Sequence, residues 1–220
     1  MKILLTTTEL DELQWAAERQ WADGVYLSPG SGELGTATEN GGGWLADASR
    51  IVGAPIYAGV RSIHADEMAR EARDLARSGE QIIVVLPFVE DAVAVIRRLT
   101  SEGLQVAADY VFSGAQALLA AKAGAVAVIV PSTHRDAYGR AGLDVLPEVR
   151  AVLSGSRLEC DLVAGEPRTA AEFGECAATC VDAVAVSVTA LRAFATHPLT
   201  DRGIDHYLNT AASRKRPRAV

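Results

Sequence analysis

The sequence predicts an α/β fold made of one domain, a (β/α)8 TIM barrel with an extra C-terminal helix. Eight short apolar segments alternate with amphipathic segments, as in a parallel sheet whose strands are each followed by a helix. The strands are almost continuously apolar, which is typical of a sheet buried on both faces. An open doubly wound sheet would need a glycine fingerprint after its first strand, and residues 6–9 read TTTE instead.

The elements follow one another without an intervening linker, so residues 1–220 are interpreted as a single domain. The predicted strands are residues 3–7, 24–27, 56–60, 82–86, 105–108, 125–130, 158–163 and 183–188. The predicted helices are residues 9–21, 65–78, 90–102, 114–123, 145–153, 170–180 and 188–195. A last helix is predicted at 201–208, after Pro198, and residues 212–220 are predicted to be a flexible basic tail.

A glycine-rich segment, residues 30–43, follows the second strand. Its backbone amides could cradle a phosphate. Neither Lys-Ser nor Lys-Thr follows the glycines, so a flexible loop over the barrel mouth is the favoured interpretation.

The overall charge limits the classes of partner. With 28 acidic and 21 basic residues the net charge is -7, which disfavours nonspecific binding to nucleic acid or to an anionic membrane. No apolar run is as long as a membrane span. Three cysteines, an odd number, and no signal peptide before them predict a cytoplasmic protein. Neither a metal nor a cofactor is predicted, because Cys176 and Cys180 fit buried thiols on a helix better than a metal pair.

Two segments carry a resemblance to a known family. Residues 111–125, VFSGAQALLAAKAGA, and residues 197–204, HPLTDRGI, closely resemble the small transaldolase and fructose-6-phosphate aldolase family, and the resemblance extends from Met1 to about residue 209. It implies the barrel fold, catalysis through a Schiff-base lysine, and a C-terminal helix that reaches a neighbouring subunit. A homo-oligomer is therefore expected by resemblance.

The resemblance fails at the residues that carry the chemistry. The family's lysine on the fourth strand, in a Lys-Val-Pro-Val-Thr context, aligns to Val85, which cannot form an imine. The only lysines are Lys2, Lys122 and Lys215, and none is predicted at the end of a strand, where barrel chemistry is found. We therefore expect no Schiff-base catalysis.

Other positions of the family's mouth are also changed. Its first-strand aspartate aligns to Thr6, its second-strand asparagine to Ser28, and a fifth-strand Thr or Asn to Asp109. The arginine that would hold the substrate's phosphate aligns approximately to His134. Loss of these groups together indicates that the family reaction has been lost, and the sequence leaves open whether phosphate is still recognised.

Strand alternation predicts a new polar cluster in the barrel or its mouth. Its inward-facing members are Tyr26, Ser28, Tyr57, Gly59, Arg61, Val85, Asp109 and Asp161. Asp109 is the predicted catalytic residue, with Asp161 as second carboxylate and Arg61 as electrostatic or substrate partner. His134 is a further candidate acid or base, and Tyr26, Ser28, Tyr57 and Thr6 are candidate substrate contacts. The alternative is a buried salt-bridge cluster that only fills space.

Two functions from different classes remain open. The first is an enzyme that performs a lysine-free lyase, cyclase, isomerase or dehydratase reaction on a small polar metabolite. The second is a catalytically silent family member that binds a metabolite or a protein. An aldolase or transaldolase of carbohydrate metabolism is the third possibility. Convergence of the charged residues on an open pocket would favour the enzyme, whereas a mouth filled by Tyr26, Tyr57 and Val85 would favour the silent protein.

Overall fold

The computed structural model describes residues 1–28, 43–132 and 142–214, with side chains up to residue 210. Eight parallel strands form a closed barrel in the order β1 to β8, which confirms the predicted fold. The strands are β1 Lys2–Leu5, β2 Gly24–Leu27, β3 Ile56–Gly59, β4 Ile82–Pro87, β5 Val106–Asp109, β6 Ala127–Pro131, β7 Asp161–Gly165 and β8 Ala183–Val186.

Nine helices occur within these described ranges. They are α1 Leu10–Glu18, α2 Gly43–Val52, α3 Ala65–Ala76, α4 Ala92–Ser101, α5 Gly114–Ala123, α6 Gly142–Ser156, α7 Ala170–Ala178, α8 Val188–Phe194 and α9 Pro198–Arg214. Helix α2, whose buried residues are Leu45 and Ala48, was not predicted. Its first residue is the last glycine of the glycine-rich segment, the rest of which lies outside the described residues. Helix α9 runs further than predicted and includes residues 212–214 of the expected tail.

The core has two layers that follow from strand alternation. Outward-facing strand residues pack against the helices in one large apolar cluster. The inward-facing residues form a second cluster inside the barrel: Leu4, Tyr26, Tyr57, Ile83, Val85, Ala107, Ala127, Ile129, Val163, Ala183 and Ala185. Six of these eleven residues are alanines or tyrosines, the smallest and the largest side chains of the cluster, and together they fill the inside of the barrel.

Helix α6 begins in close contact with the end of β6. A Cβ atom on Gly142 would lie 1.9 Å from the carbonyl oxygen of Pro131, a distance that no side chain can occupy. Glycine therefore permits the approach that holds α6 against the mouth of the barrel.

Helix α9 projects its side chains into solvent. Every residue from Pro198 to Asn209 is exposed, including the large apolar side chains of Leu199, Ile204, Tyr207 and Leu208. Among the helices of the described ranges, none is long and apolar enough to cross a membrane.

Candidate functional site

Asp109 is the last residue of β5 and is fully buried. Tyr26, across the barrel on β2, donates a hydrogen bond from Oη to Asp109 Oδ2 at 2.6 Å. Ser28 Oγ lies 3.5 Å from the same oxygen, and the backbone N–H of Tyr110 donates to Asp109 Oδ1 at 2.6 Å. The carboxyl group is therefore held in one orientation at the C-terminal end of the barrel, where barrel enzymes place their chemistry.

Burial changes the proton affinity of this pair. Desolvation raises the pKa of Asp109 from 3.8 to about 6, although the hydrogen bonds from Tyr26, Tyr110 and Ser28 lower it, and the nearby charge of Glu166 adds to the rise. Burial, together with the charge of Asp109, raises the pKa of Tyr26 well above its usual value. Asp109 can thus exchange a proton near neutral pH, while Tyr26 stays protonated and donates to it.

A small cavity opens above Asp109, and we call it the mouth cavity. Its water-accessible volume is about 40 Å³, room for roughly three water molecules. The described residues that line it are Tyr26, Ser28, Asp109, Tyr110, Ile129, Pro131, Gly165 and Glu166. The predicted grouping of Tyr26, Ser28 and Asp109 at one mouth is therefore what the structure shows.

Arg61 does not join this group. It lies two residues beyond the end of β3, its side chain is exposed, and its backbone N–H donates to Glu71 Oε2 at 2.7 Å. The ion pairs of the described residues include none between Arg61 and Asp109. The predicted Arg61–Asp109 pair is wrong, because alternation no longer dictates side-chain direction once the strand has ended.

Asp161 lies at the opposite end of the barrel. It is the first residue of β7, and its nearest cation is Lys2, whose Nζ is 3.9 Å from Oδ2. The predicted pair of carboxylates, Asp109 with Asp161, is therefore wrong. Tyr57 is buried in the inner apolar cluster, where burial and the charge of Asp161 raise its pKa to about 12. It does not line the mouth cavity.

Thr6 reaches the mouth in a neighbouring groove, which we call the side groove. This groove has a volume of about 470 Å³ and is lined by Thr6, Glu166, Pro167, Arg168, Ser187, Thr189, Ala190 and Ala193. Glu166 borders both the side groove and the mouth cavity. His134 lies outside the described residues.

Glu166 is the mouth residue that the sequence analysis missed. It directly follows β7, and the predicted seventh strand ended at residue 163 instead of Gly165. With the strand shifted by two residues, the first position beyond its end would have been Glu166, and the same strand-end argument that selected Asp109 would have selected it.

Val85 occupies the inward-facing position at which the resembled family carries its lysine. Its neighbours in the sheet are Gly59 on β3 and Ala107 on β5, and it is fully buried in the inner apolar cluster. Lys2 lies at the other end of the barrel beside Asp161, and Lys122 is exposed in the last turn of α5. Lys215 lies outside the described residues. No group of three or more His, Cys, Asp or Glu side chains suited to a metal occurs in the described part.

Fold and site together define an α/β barrel protein with a polar cavity at the C-terminal ends of its strands. Residues 44–217 match the family model Transaldolase/Fructose-6-phosphate aldolase. The chain belongs to this family, as the resemblance of its sequence motifs implied.

Individual relatives agree with the family assignment. A probable transaldolase of Desulforapulum autotrophicum is 31% identical over 94% of this chain and 96% of its own length. Another from Prosthecochloris aestuarii is 30% identical over 98% of this chain and 100% of its own length. A thiamine phosphate pyrophosphorylase from Pyrococcus furiosus has a TM-score of 0.59, covering 87% of this chain and 93% of its own, at 18% identity. This last likeness shows the fold alone.

Proposed function

We propose that this family member performs lysine-free acid–base chemistry on a small polar carbonyl compound, as an isomerase, dehydratase, cyclase or lyase. The observation that carries the proposal is Asp109, a buried carboxyl at the barrel mouth with a pKa near 6. A group with such a pKa can remove a proton from carbon next to a carbonyl and return it. Tyr26 holds the carboxylate in place and can donate to an oxygen that gains negative charge.

Val85 supports the lysine-free part of the proposal. An imine needs an amine at the reacting end of the barrel, and the side chain at this position is aliphatic. The probable transaldolases that share about a third of the sequence supply a third candidate, the family reaction itself. That candidate requires a lysine amine at the mouth, and the described lining of the mouth cavity contains no lysine.

A catalytically silent protein is the second candidate function. The small volume of the mouth cavity favours it, because little space remains for a substrate near Asp109, and so does the position of Arg61 and Asp161 away from that carboxyl. Its role would be to bind a metabolite or a partner protein at the mouth.

Exchange of carbon-bound hydrogen separates the two candidates. The protein is incubated in D₂O with small hydroxycarbonyl compounds such as dihydroxyacetone, and loss of the C–H signals is followed by proton NMR. We expect exchange catalysed by the wild type and a rate lower by about 10²–10⁴-fold in Asp109→Asn. Asp161→Asn, a matched change at the opposite end of the barrel, should exchange at the wild-type rate. Equal rates for Asp109→Asn and the wild type would favour the silent protein.

We also propose that the chain forms a homo-oligomer through α9 and works in the cytoplasm. Support for assembly comes from the exposed apolar side chains of α9. Cys160, Cys176 and Cys180 are free thiols, as expected in a reducing compartment.

A further inference from the structure

Two residues at the mouth have a backbone conformation that side chains rarely adopt. Five non-glycine residues of the described ranges have positive φ angles. Gln20, Arg157 and Cys180 follow the ends of helices, where this conformation is a common terminator. Tyr110, with φ 57°, and Glu166, with φ 55°, instead follow directly after strands β5 and β7.

Both of these residues line the mouth cavity, so the unfavourable backbone lies where the candidate chemistry is. The backbone N–H of Tyr110 donates to Asp109 Oδ1 at 2.6 Å, so this residue also contacts the candidate catalytic carboxyl. The Glu166 N–H donates to the carbonyl oxygen of Ala185 at 2.8 Å, which anchors this residue to β8. A non-glycine residue held in this conformation persists only where the surroundings fix it, and such positions cluster at functional sites.

The charge of Glu166 acts on the same space as Asp109. Its carboxyl is exposed at the rim, Asp109 is buried at the base, and both line the mouth cavity. The described lining of this cavity contains neither lysine nor arginine. Arg168, two residues along, lines the side groove with Thr6 and not the mouth cavity. A phosphate or carboxylate entering next to Asp109 would therefore meet two negative groups without a described cation to offset them.

We infer that Glu166 determines specificity at the mouth: it restricts the space above Asp109 to uncharged hydroxycarbonyl groups and rejects groups that carry phosphate or carboxylate. The inference rests on the proposed function only for its choice of a carbonyl compound as ligand. Selection by charge is a property of binding and needs no turnover. The selection is measured as the difference in binding affinity between an uncharged compound and its phosphorylated form.

Carbon-13 NMR of the aspartate side chains tests this selection without requiring catalysis. The Asp109 signal is assigned by its absence in Asp109→Asn. We expect dihydroxyacetone to shift the Asp109 signal of the wild type, and dihydroxyacetone phosphate at the same concentration to shift it at least tenfold less. In Glu166→Gln the two compounds should become similar, and the Asp109 pKa should fall because a negative neighbour is gone.

Glu159→Gln is the matched control, with the same change of charge on an exposed residue before β7. It should behave as the wild type. The inference is overturned if the phosphorylated compound shifts Asp109 as much as the uncharged one in the wild type, if neither compound shifts it, or if Glu166→Gln matches Glu159→Gln. Charge selection without deuterium exchange would refute the proposed function and leave this inference standing.

A second variant separates specificity from structural support. Glycine adopts positive φ freely, so Glu166→Gly should melt no lower than the wild type while it loses the discrimination against phosphate. A lower melting temperature with discrimination intact would assign Glu166 a structural role and overturn the inference.

Discussion

At the scale of single residues, Asp109 is a buried carboxyl group whose ionised form lowers the stability of the fold. It is fully buried and accepts hydrogen bonds from Tyr26 and the Tyr110 backbone, yet the described residues give it no ion pair. Hydrogen bonds offset only part of the cost of removing a charge from water. The ionised carboxylate therefore lowers the free energy of unfolding. An apolar residue would fill the same space without this cost.

The pH dependence of stability should reveal this cost. The folded-state pKa of Asp109, about 6, is raised above 3.8, so the folded protein binds the proton more tightly than the unfolded chain. The stabilising contribution of the protonated form is complete below about pH 4 and is lost as the pH rises through about 6. A difference of roughly two pKa units corresponds to about 3 kcal/mol. We expect Asp109→Asn, measured by urea unfolding, to gain up to this amount relative to the wild type between about pH 4 and pH 7.

Asp205→Asn is the control for this measurement, because Asp205 is exposed on α9. Its difference from the wild type should stay nearly constant over the same range. If the Asp109→Asn difference were also constant, the raised pKa of Asp109 would be contradicted.

Val85 leads to a prediction about covalent chemistry. Borohydride reduction in the presence of dihydroxyacetone should give no adduct with the wild type, by intact mass, since the aliphatic side chain cannot form an imine. Val85→Lys would introduce a lysine inside the barrel at the position that pairs with Gly59 and Ala107. This position is two residues below the level of Asp109 on the neighbouring strand. We expect this variant to give a trapped adduct at residue 85. An adduct on Lys122 of the wild type would contradict the lysine-free proposal.

The mouth could be predicted from the sequence where strand geometry decides side-chain direction. Alternation correctly placed Tyr26 and Asp109 inside the barrel, and the hydrogen bond between them follows from their positions on β2 and β5. Arg61 lies beyond the end of β3, so its direction depends on local contacts, such as the one its backbone makes with Glu71. Composition and alternation contain no information about such contacts.

At the scale of elements, the seventh strand shows what a single apolar run cannot specify. Residues 158–163 were predicted from their hydrophobicity, but β7 is defined by pairing: Asp161 pairs with Ala127 and Gly165 with Pro131 on β6. The observed strand begins three residues and ends two residues later than predicted, which places Asp161 at the lower end of the barrel and Glu166 at the mouth. The register of a strand depends on pairing with a neighbour that is distant in the sequence. It therefore explains both the wrong placement of Asp161 at the mouth and the omission of Glu166.

The start of α6 offers a stability prediction at this scale. A methyl group at residue 142 would overlap the carbonyl oxygen of Pro131, so α6 would have to move away from β6. We expect Gly142→Ala to lower the free energy of unfolding by about 1–3 kcal/mol, as overpacking usually does. Gly155→Ala, near the other end of the same helix, meets nothing within 4 Å and should stabilise the protein by about 0.5–1 kcal/mol. Equal changes in the free energy of unfolding for Gly142→Ala and Gly155→Ala would contradict the close contact between residue 142 and Pro131.

At the scale of the whole molecule, the barrel accounts for the core and α9 stands outside it. The apolar side chains of Ile204, Tyr207 and Leu208 are three and four positions apart and more than half exposed. Residues at this spacing share one face of a helix. An uncovered face of this kind fits contact with another copy of the chain better than contact with water.

We expect light scattering to find an oligomer that dissociates when the residues after Leu199 are deleted. Ile204→Glu with Leu208→Glu should have the same effect, because two charges would be buried in the contact. His206→Glu on the same helix should leave the assembly intact. A monomeric wild type, unchanged by the deletion, would contradict the proposed oligomer.

If the chain assembles through α9, as we propose, the shape of its C-terminal end should depend on the protein concentration. Helix α9 has 17 residues, and a solitary helix of about this length is only marginally stable in water. In the proposed oligomer its folding would be linked to association by mass action, since subunits that bind the helical form draw the equilibrium toward it. Dilution should unwind the last segment while the barrel stays folded, and circular dichroism should lose a small helical component at low concentration. The amount of protein in the cell would thus set the fraction of chains whose C-terminal segment is ordered.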